Sequence, residues 1–144
     1  MPTVELRFSA QPEHVRTARL VAAAVARRAG VDEAVLDEVR LAVGEACSRA
    51  VGLHRSHGIT APVTVSLIEG EKAFSIEVGD AVPGPGSDTT LPGRPSGQQT
   101  EPDSEDEMGL AVISGLVDDV EVRSATDGGV IRMSWPTTPA VAVP

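Results

Sequence analysis

Residues 38–51 read Glu-Val-Arg-Leu-Ala-Val-Gly-Glu-Ala-Cys-Ser-Arg-Ala-Val, and this stretch carries the strongest structural signal in the chain. Apolar residues recur in it every three or four positions, which predicts an amphipathic helix. The full apolar stripe begins after Asp32, a candidate helix cap, and comprises Val35, Val39, Ala42, Val43, Ala46, Ala50 and Leu53. Glu45 and Arg49 are four residues apart and share one helix face, so by themselves they favour an exposed ion pair within the helix.

Patterns on either side of this helix predict the other elements. Alternating apolar and polar residues predict strands over 3–9, 63–67, 74–78, 119–124 and 130–135. Helical spacing predicts a first helix between Pro12 and Gly30 and a short third helix over 108–117, with a loop over 54–62. The order β-α-α-β-β-loop-α-β-β predicts an α+β fold with two layers, in which helices cover one face of a mixed, mostly antiparallel sheet.

The chain has the length of one domain, which we place at 1–136. Residues 83–105 contain five of its eleven prolines and four glycines, with almost no large apolar side chain. Such a segment cannot bury enough surface to offset the entropy of ordering, so we predict a long mobile loop over 83–107. Residues 137–144 are predicted to be a disordered tail.

Charge and composition exclude several classes of function. The formal net charge of −9 argues against direct binding to nucleic acid or to an anionic membrane and favours a basic protein partner. No apolar run approaches the ~20 residues of a membrane span, and no signal pattern opens the chain, so we expect a cytoplasmic protein. Cys47 is the single cysteine and lies within the helical pattern, which favours a small buried residue over a nucleophile.

The segments from Arg19 to Cys47 and from Gly109 to Val122, together with the order of elements, resemble the GHKL (histidine-kinase-like) ATPase fold. Within this fold the chain resembles the RsbW/SpoIIAB class of anti-sigma factors with serine kinase activity. The resemblance runs from about Val4 to Met133. It rests on shared pattern and spacing rather than on one decisive motif.

The resemblance implies roles for several residues. Glu45 matches the base that acts on a partner serine, and Asp80 matches the aspartate that reads the adenine amino group. Gly109 and Leu110 match the end of the glycine motif that follows the lid over the triphosphate, and Gly84 falls among the nucleotide-site positions at the start of that lid. Arg49 stands where the class has an asparagine that holds magnesium.

Four positions depart from the pattern of the class. A guanidinium at Arg49 cannot supply the oxygen that magnesium needs. Val82 places a branched side chain, and Glu107 a negative charge, where the class has glycines. The class has a histidine four residues after its asparagine, but here that position is Leu53, and His54 follows one residue later. We therefore expect nucleotide binding to be weak or lost, with no cofactor and no metal. The alternative is that Arg49 contacts a phosphate directly and ATP binds without metal.

The resemblance also implies protein partners. Arg19 falls on the position of an arginine that contacts the sigma factor, although its acidic companion one turn earlier is replaced by Val15. As an alternative, Arg19 is simply a solvated surface residue. Members of the class form homodimers around a sigma factor in stress response or development, and a STAS-domain antagonist releases them.

Three hypotheses follow. The first is an anti-sigma factor that sequesters an alternative sigma factor by direct binding and is released by a STAS-domain protein. The second is an active ATP-dependent serine kinase that phosphorylates the STAS-domain antagonist, with Glu45 as base and ATP and magnesium as cofactors. The third is a scaffold that dimerises with an intact relative and modulates it.

Overall fold

The structure, a computed structural model, describes residues 3–83, 113, 115, 117 and 119–137. Its helices are α1 (Glu13–Ala29) and α2 (Leu36–Ser56), separated by a single 3-10 turn over Glu33–Val35. Its strands are β1 (Thr3–Phe8), β2 (Val63–Glu69), β3 (Ala73–Asp80), β4 (Asp119–Ala125) and β5 (Gly128–Pro136). The order of these elements agrees with the order predicted from the sequence.

The strands form one five-stranded sheet in the order β1-β2-β3-β5-β4. Each neighbouring pair is antiparallel, so the sheet that we predicted as mixed is antiparallel throughout its described strands. β1 and β4 form the edges, and β3 lies at the centre with Val78 opposite Ile131 of β5. The α+β prediction is confirmed.

The core lies between the helices and one face of the sheet. Apolar side chains alternate along β2, β3 and β5, and those on the inner face are buried against α2, among them Leu67, Phe74, Ile76, Ile131 and Met133. Cys47 is fully buried in this core, as its position in the helical pattern predicted. Burial disfavours the thiolate and raises the pKa of the Cys47 thiol to about 12. The cysteine is therefore a packing residue and a poor nucleophile at neutral pH.

The connection between the two helices is set by Gly30 and Asp32. Gly30 adopts a left-handed conformation with φ 102°, and the next amide, that of Val31, donates to the carbonyl oxygen of Ala26 at 3.0 Å. This is the usual way in which glycine ends a helix. Asp32 accepts a hydrogen bond from the Ala34 amide at 3.0 Å and so caps the 3-10 turn, whereas we had predicted that it caps the long helix directly.

The end of α2 differs from the sequence prediction. We predicted a loop from His54, but α2 continues to Ser56 and His54 is completely buried. Its Nδ1 lies 3.0 Å from the carbonyl oxygen of Ala61, and its Nε2 accepts a hydrogen bond from the Ala81 amide at 2.8 Å. These partners require a neutral ring that carries its proton on Nδ1. His54 therefore ties α2 both to the loop before β2 and to the chain just after β3.

Several predicted features fall largely outside the described residues. The loop over 83–107 is described only at Pro83, and the tail over 137–144 only at Thr137. Of the third helix, Ile113 and Gly115 are helical, and the Val117 amide donates to the Ile113 carbonyl oxygen at 2.9 Å. None of the helices in the described part of the chain combines the length and apolarity needed to cross a membrane.

The two bonds of His54 generate a stability prediction. His54→Ala should lower the free energy of unfolding by about 3 kcal/mol, because it opens a cavity and leaves two buried backbone groups without partners. His57 is the matched control, since it caps the same helix but its side chain is exposed. His57→Ala should cost about 0.5 kcal/mol or less. Both changes in the free energy of unfolding can be measured by urea unfolding. The signal is the fluorescence of Trp135, which is the only tryptophan and is buried. Equal losses would contradict the structural role of His54.

Candidate functional site

Asp80 is the residue around which the candidate site is built. It ends β3, opposite Gly129 of β5, and its side chain is only 7% exposed. One carboxylate oxygen, Oδ1, accepts hydrogen bonds from the amide of Val82 at 2.9 Å and from the amide of Gly129 at 3.2 Å. The turn after β3 and the start of β5 therefore both bind the same oxygen, which fixes the orientation of the carboxylate.

Two glycines of the β4–β5 hairpin allow this close approach. Gly128 has φ 147°, and a β-carbon at this position would collide with the carbonyl oxygen of Asp80. A β-carbon at Gly129 would lie 3.1 Å from Oδ2 of Asp80. Their role in making room for Asp80 depends on the pairing of β5 with β3, so no local signal in the sequence indicates it.

Arg49 faces this carboxylate from α2. Its Nη1 lies 4.0 Å from Oδ2 of Asp80, and the two side chains are 16% and 7% exposed. The prediction of an ion pair between Arg49 and Glu45 on the helix surface was wrong, because Arg49 reaches the strand end instead. A buried carboxylate gains more from a nearby cation than a carboxylate that water already solvates. Helix α2 is thus linked to the sheet by a charged pair as well as by its apolar face.

Glu45 lies one turn before Arg49 and is half-buried. The structure gives it no hydrogen bond or ion pair with any other described residue. Its carboxylate is therefore not neutralised by Arg49 as we had expected. The site consequently contains two different carboxylates. Asp80 accepts hydrogen bonds from two backbone amides, whereas Glu45 has no donor in the described part of the chain.

These residues do not fit a magnesium-bound nucleotide. Arg49, to which the resemblance assigns the metal-binding position, is a cation that offers no lone pair to a metal. Asp80, to which it assigns the adenine-reading position, accepts two backbone hydrogen bonds on Oδ1, and its Oδ2 faces the Arg49 guanidinium.

The segment after Asp80 is fixed from two directions. Val82, half-buried, donates its amide to Asp80, and the preceding amide of Ala81 donates to the buried ring of His54. We predicted His54 only as the start of a loop and as a histidine one residue away from the position of the class. Its spacing, four residues after Ala50 and seven after Cys47, is the signal that could have identified it as buried.

The remaining nucleotide-site positions, Gly84, Glu107, Gly109 and Leu110, lie outside the described residues. Their predicted roles stay predictions. The geometry brings Arg49 to Asp80 and places Glu45 one turn away on the same helix, while Arg19 belongs to a separate surface.

That surface is formed by α1. This helix carries four arginines and a single acid, Glu13, which gives it a formal charge of +3 against −9 for the whole chain. Arg27 pairs with Glu33 at 2.9 Å and Arg28 with Glu69 at 2.5 Å. Arg16 and Arg19 are exposed and have no ion pair with any residue that the structure describes.

The neighbours of Arg19 are partly apolar. Leu20 is 58% exposed and Leu41 on α2 is 52% exposed, whereas Val15, at the position of the acidic companion, is buried in the core. An acidic side chain at position 15 would point into the apolar core of this chain, which accounts for the valine there. Single exposed leucines are common on protein surfaces, but here they accompany two arginines without a described ion-pair partner.

A second polar feature lies on the sheet face that points away from the helices. A shallow groove of about 330 Å³ is lined by Glu77, Glu121, Arg123, Val130 and Arg132. Nη1 of Arg132 lies 2.6 Å from Oε2 of Glu77, and Arg132 stands opposite Glu121 in the register. Positive and negative side chains alternate across these strands, so the groove has no strong preference for one sign of charge.

Comparison with known proteins agrees with this architecture. A model of the histidine kinase-like ATPase domain family matches residues 8–135. The fold is similar to that in the crystal structure of the RsbU and RsbW domains of Rv1364c from Mycobacterium tuberculosis, with a TM-score of 0.65 and 17% sequence identity. That match covers 100% of this chain and 35% of the other, so this chain spans about a third of its length. None of the curated proteins matches the chain.

The family model covers most of the chain, and the five-stranded antiparallel sheet with helices on one face is consistent with this fold. The low identity to the solved structure supports the fold alone. Taken with the family match, these observations show that the chain belongs to the histidine kinase-like ATPase domain family.

Proposed function

We propose that this protein is an RsbW-like anti-sigma factor that acts by binding alone. It sequesters an alternative sigma factor in the cytoplasm, forms a homodimer, and is released by a STAS-domain antagonist. Nucleotide binding is weak or lost in this account. The family match and the fold support a role in partner switching, and the charged pair at the former nucleotide site supports binding without catalysis.

The observation that carries the proposal is the contact between Arg49 and Asp80. In an active member of the class, the corresponding residues would hold magnesium and adenine. Here the two side chains form an ion pair with each other, with 4.0 Å between Nη1 of Arg49 and Oδ2 of Asp80, and both are little exposed to solvent. Nucleotide would have to separate a buried charged pair and replace its interactions, which is unfavourable because either charge left alone at this depth is poorly solvated.

The surface of α1 supports a protein partner. Arg16 and Arg19 project a positive charge from an otherwise acidic protein, and the exposed Leu20 lies beside them. Arginine is enriched in protein interfaces and is among the residues that most often contribute strongly to binding. The complementary partner surface is acidic, whereas the net charge by itself had favoured a basic one.

One observation favours the alternative of an active serine kinase. Glu45, the position of the base, is half-buried and is not paired with Arg49, so its carboxylate is available to accept a proton. Transfer of phosphate from ATP to the serine of a STAS-domain protein, lost in Glu45→Ala, would establish this function. The scaffold hypothesis would instead be supported by a complex with an intact relative in place of the homodimer.

Binding of purified sigma factors from the source organism, taken one at a time, tests the proposal. One of them should form a stable complex, and addition of the cognate STAS-domain protein should dissociate it. Arg19→Ala should weaken the complex about tenfold or more, as expected for an interface arginine. The affinity is measured by titration calorimetry.

Arg27→Ala is the control for that substitution. Arg27 lies on the same helix, but its guanidinium is already paired with Glu33 of the same chain. Its replacement should change the affinity by about twofold or less, as for a residue outside the interface. Equal losses in both variants would indicate general electrostatic attraction, and the absence of any complex would overturn the proposal.

A further inference from the structure

Gly44 lies on α2 directly beneath the side chain of Arg19. A β-carbon at Gly44 would come within 2.9 Å of Cδ of Arg19 and within 3.5 Å of its Cγ and Nε. Real β-carbons do not approach other heavy atoms as closely as the first of these distances, so the arginine stem occupies the space that a side chain at position 44 would need. The aliphatic part of Arg19 therefore rests on the backbone of the neighbouring helix.

Glycine within a helix is unfavourable relative to alanine, so a glycine at this place calls for a reason. Helix α2 contains a second glycine, Gly52, and beyond its own helix turn no described residue has a heavy atom within 4 Å of a β-carbon built there. The two glycines thus differ in their surroundings while sharing the same helix. Only Gly44 has a neighbour that an alanine would displace.

We infer that Gly44 is a positioning residue for Arg19. By leaving its side-chain space to the arginine stem, it holds the guanidinium at the junction of α1 and α2, beside the exposed Leu20 that follows Arg19 in the chain. The inference rests on the proposed function, because Arg19 is the residue assigned to the partner. The group that Arg19 recognises there is a carboxylate of the sigma factor, flanked by apolar side chains.

The physical benefit is preorganisation. A free arginine on a helix surface samples many rotamers and loses that freedom when it binds. A stem that is already held against α2 loses less, and its planar guanidinium presents a fixed pair of donors to a carboxylate. Alanine at position 44 would push the stem away and return Arg19 to the ordinary behaviour of a surface side chain.

Thermal unfolding of the free protein tests, without any partner, whether the Arg19 stem packs on Gly44. Gly52→Ala should raise Tm by about 2–4 °C through helix propensity alone. Gly44→Ala should raise Tm by less than this, or lower it, because it displaces the Arg19 stem. In an Arg19→Ala background the conflict is absent, so Gly44→Ala and Gly52→Ala should then raise Tm equally. A Gly44→Ala effect that is the same in both backgrounds would overturn the inference.

Binding of the purified sigma factor tests the consequence. Gly44→Ala should weaken binding about fivefold, Gly52→Ala should leave it unchanged, and Gly44→Ala should have no further effect once Arg19 is alanine. Loss of affinity in Arg19→Ala without loss in Gly44→Ala would refute the positioning role and leave the proposed function intact. If the wild-type protein binds no sigma factor, the proposed function is overturned, and the role of Arg19 with it. The thermal measurement still decides whether Gly44 positions the Arg19 stem.

Discussion

The buried carboxylate of Asp80 is the constraint on which the arrangement of the site depends. It stands where β3 ends, and it accepts hydrogen bonds from the turn that follows and from the start of β5. Arg49 approaches it from α2, so the helix layer and the sheet share this one charged group. Gly128 and Gly129 have no side chains at the point where β5 passes Asp80, which is what makes this convergence sterically possible.

Under the proposed function, the same constraint explains why nucleotide chemistry would be lost while the family's fold is kept. In a nucleotide-binding relative, an asparagine and an aspartate at these positions would be directed at ligand groups. Here the arginine compensates the aspartate within the protein. Removing one partner of a buried ion pair typically lowers the free energy of unfolding by about 3–5 kcal/mol, because the other charge is left buried without compensation. Each member of the pair is therefore needed once the other is present. An arginine in place of the asparagine is therefore more than the loss of a metal ligand, since it supplies a substitute partner for Asp80.

Fixed geometry is also what a protein that only binds requires. In this chain His54 holds Ala81 and Asp80 holds Val82, so the segment leading out of β3 is fixed by two side chains of the protein itself. The surface of α1 that we propose for the partner lies on the other long helix, where Arg19 packs against α2. Under the proposed function, a sigma factor would meet a surface whose shape is set by packing and not by bound nucleotide.

Much of the fold could be predicted from the sequence because its signals are local. Alternation identified every described strand, and helical spacing together with Gly30 placed the two long helices. The interactions that distinguish the site are not local. Arg49 and Asp80 belong to different elements, and a rule based on spacing within a helix paired Arg49 with Glu45 instead. His54 was assigned to a loop because polar residues follow it, although its spacing on the buried stripe pointed inward. Gly44 carried no signal at all, since only the packing of α1 on α2 brings Arg19 above it.

The central proposal is that the ion pair between Arg49 and Asp80 prevents nucleotide from binding at this site. The most direct measurement is calorimetric titration of the wild-type protein and of Arg49→Asn with ATP and magnesium. The account predicts no binding of millimolar ATP to the wild type. It predicts measurable binding to Arg49→Asn if this residue alone blocks the site, and none until Val82→Gly and Glu107→Gly are added if all three do. Tight binding of ATP to the wild-type protein, lost in Asp80→Asn, would contradict the account and restore the kinase as the leading function.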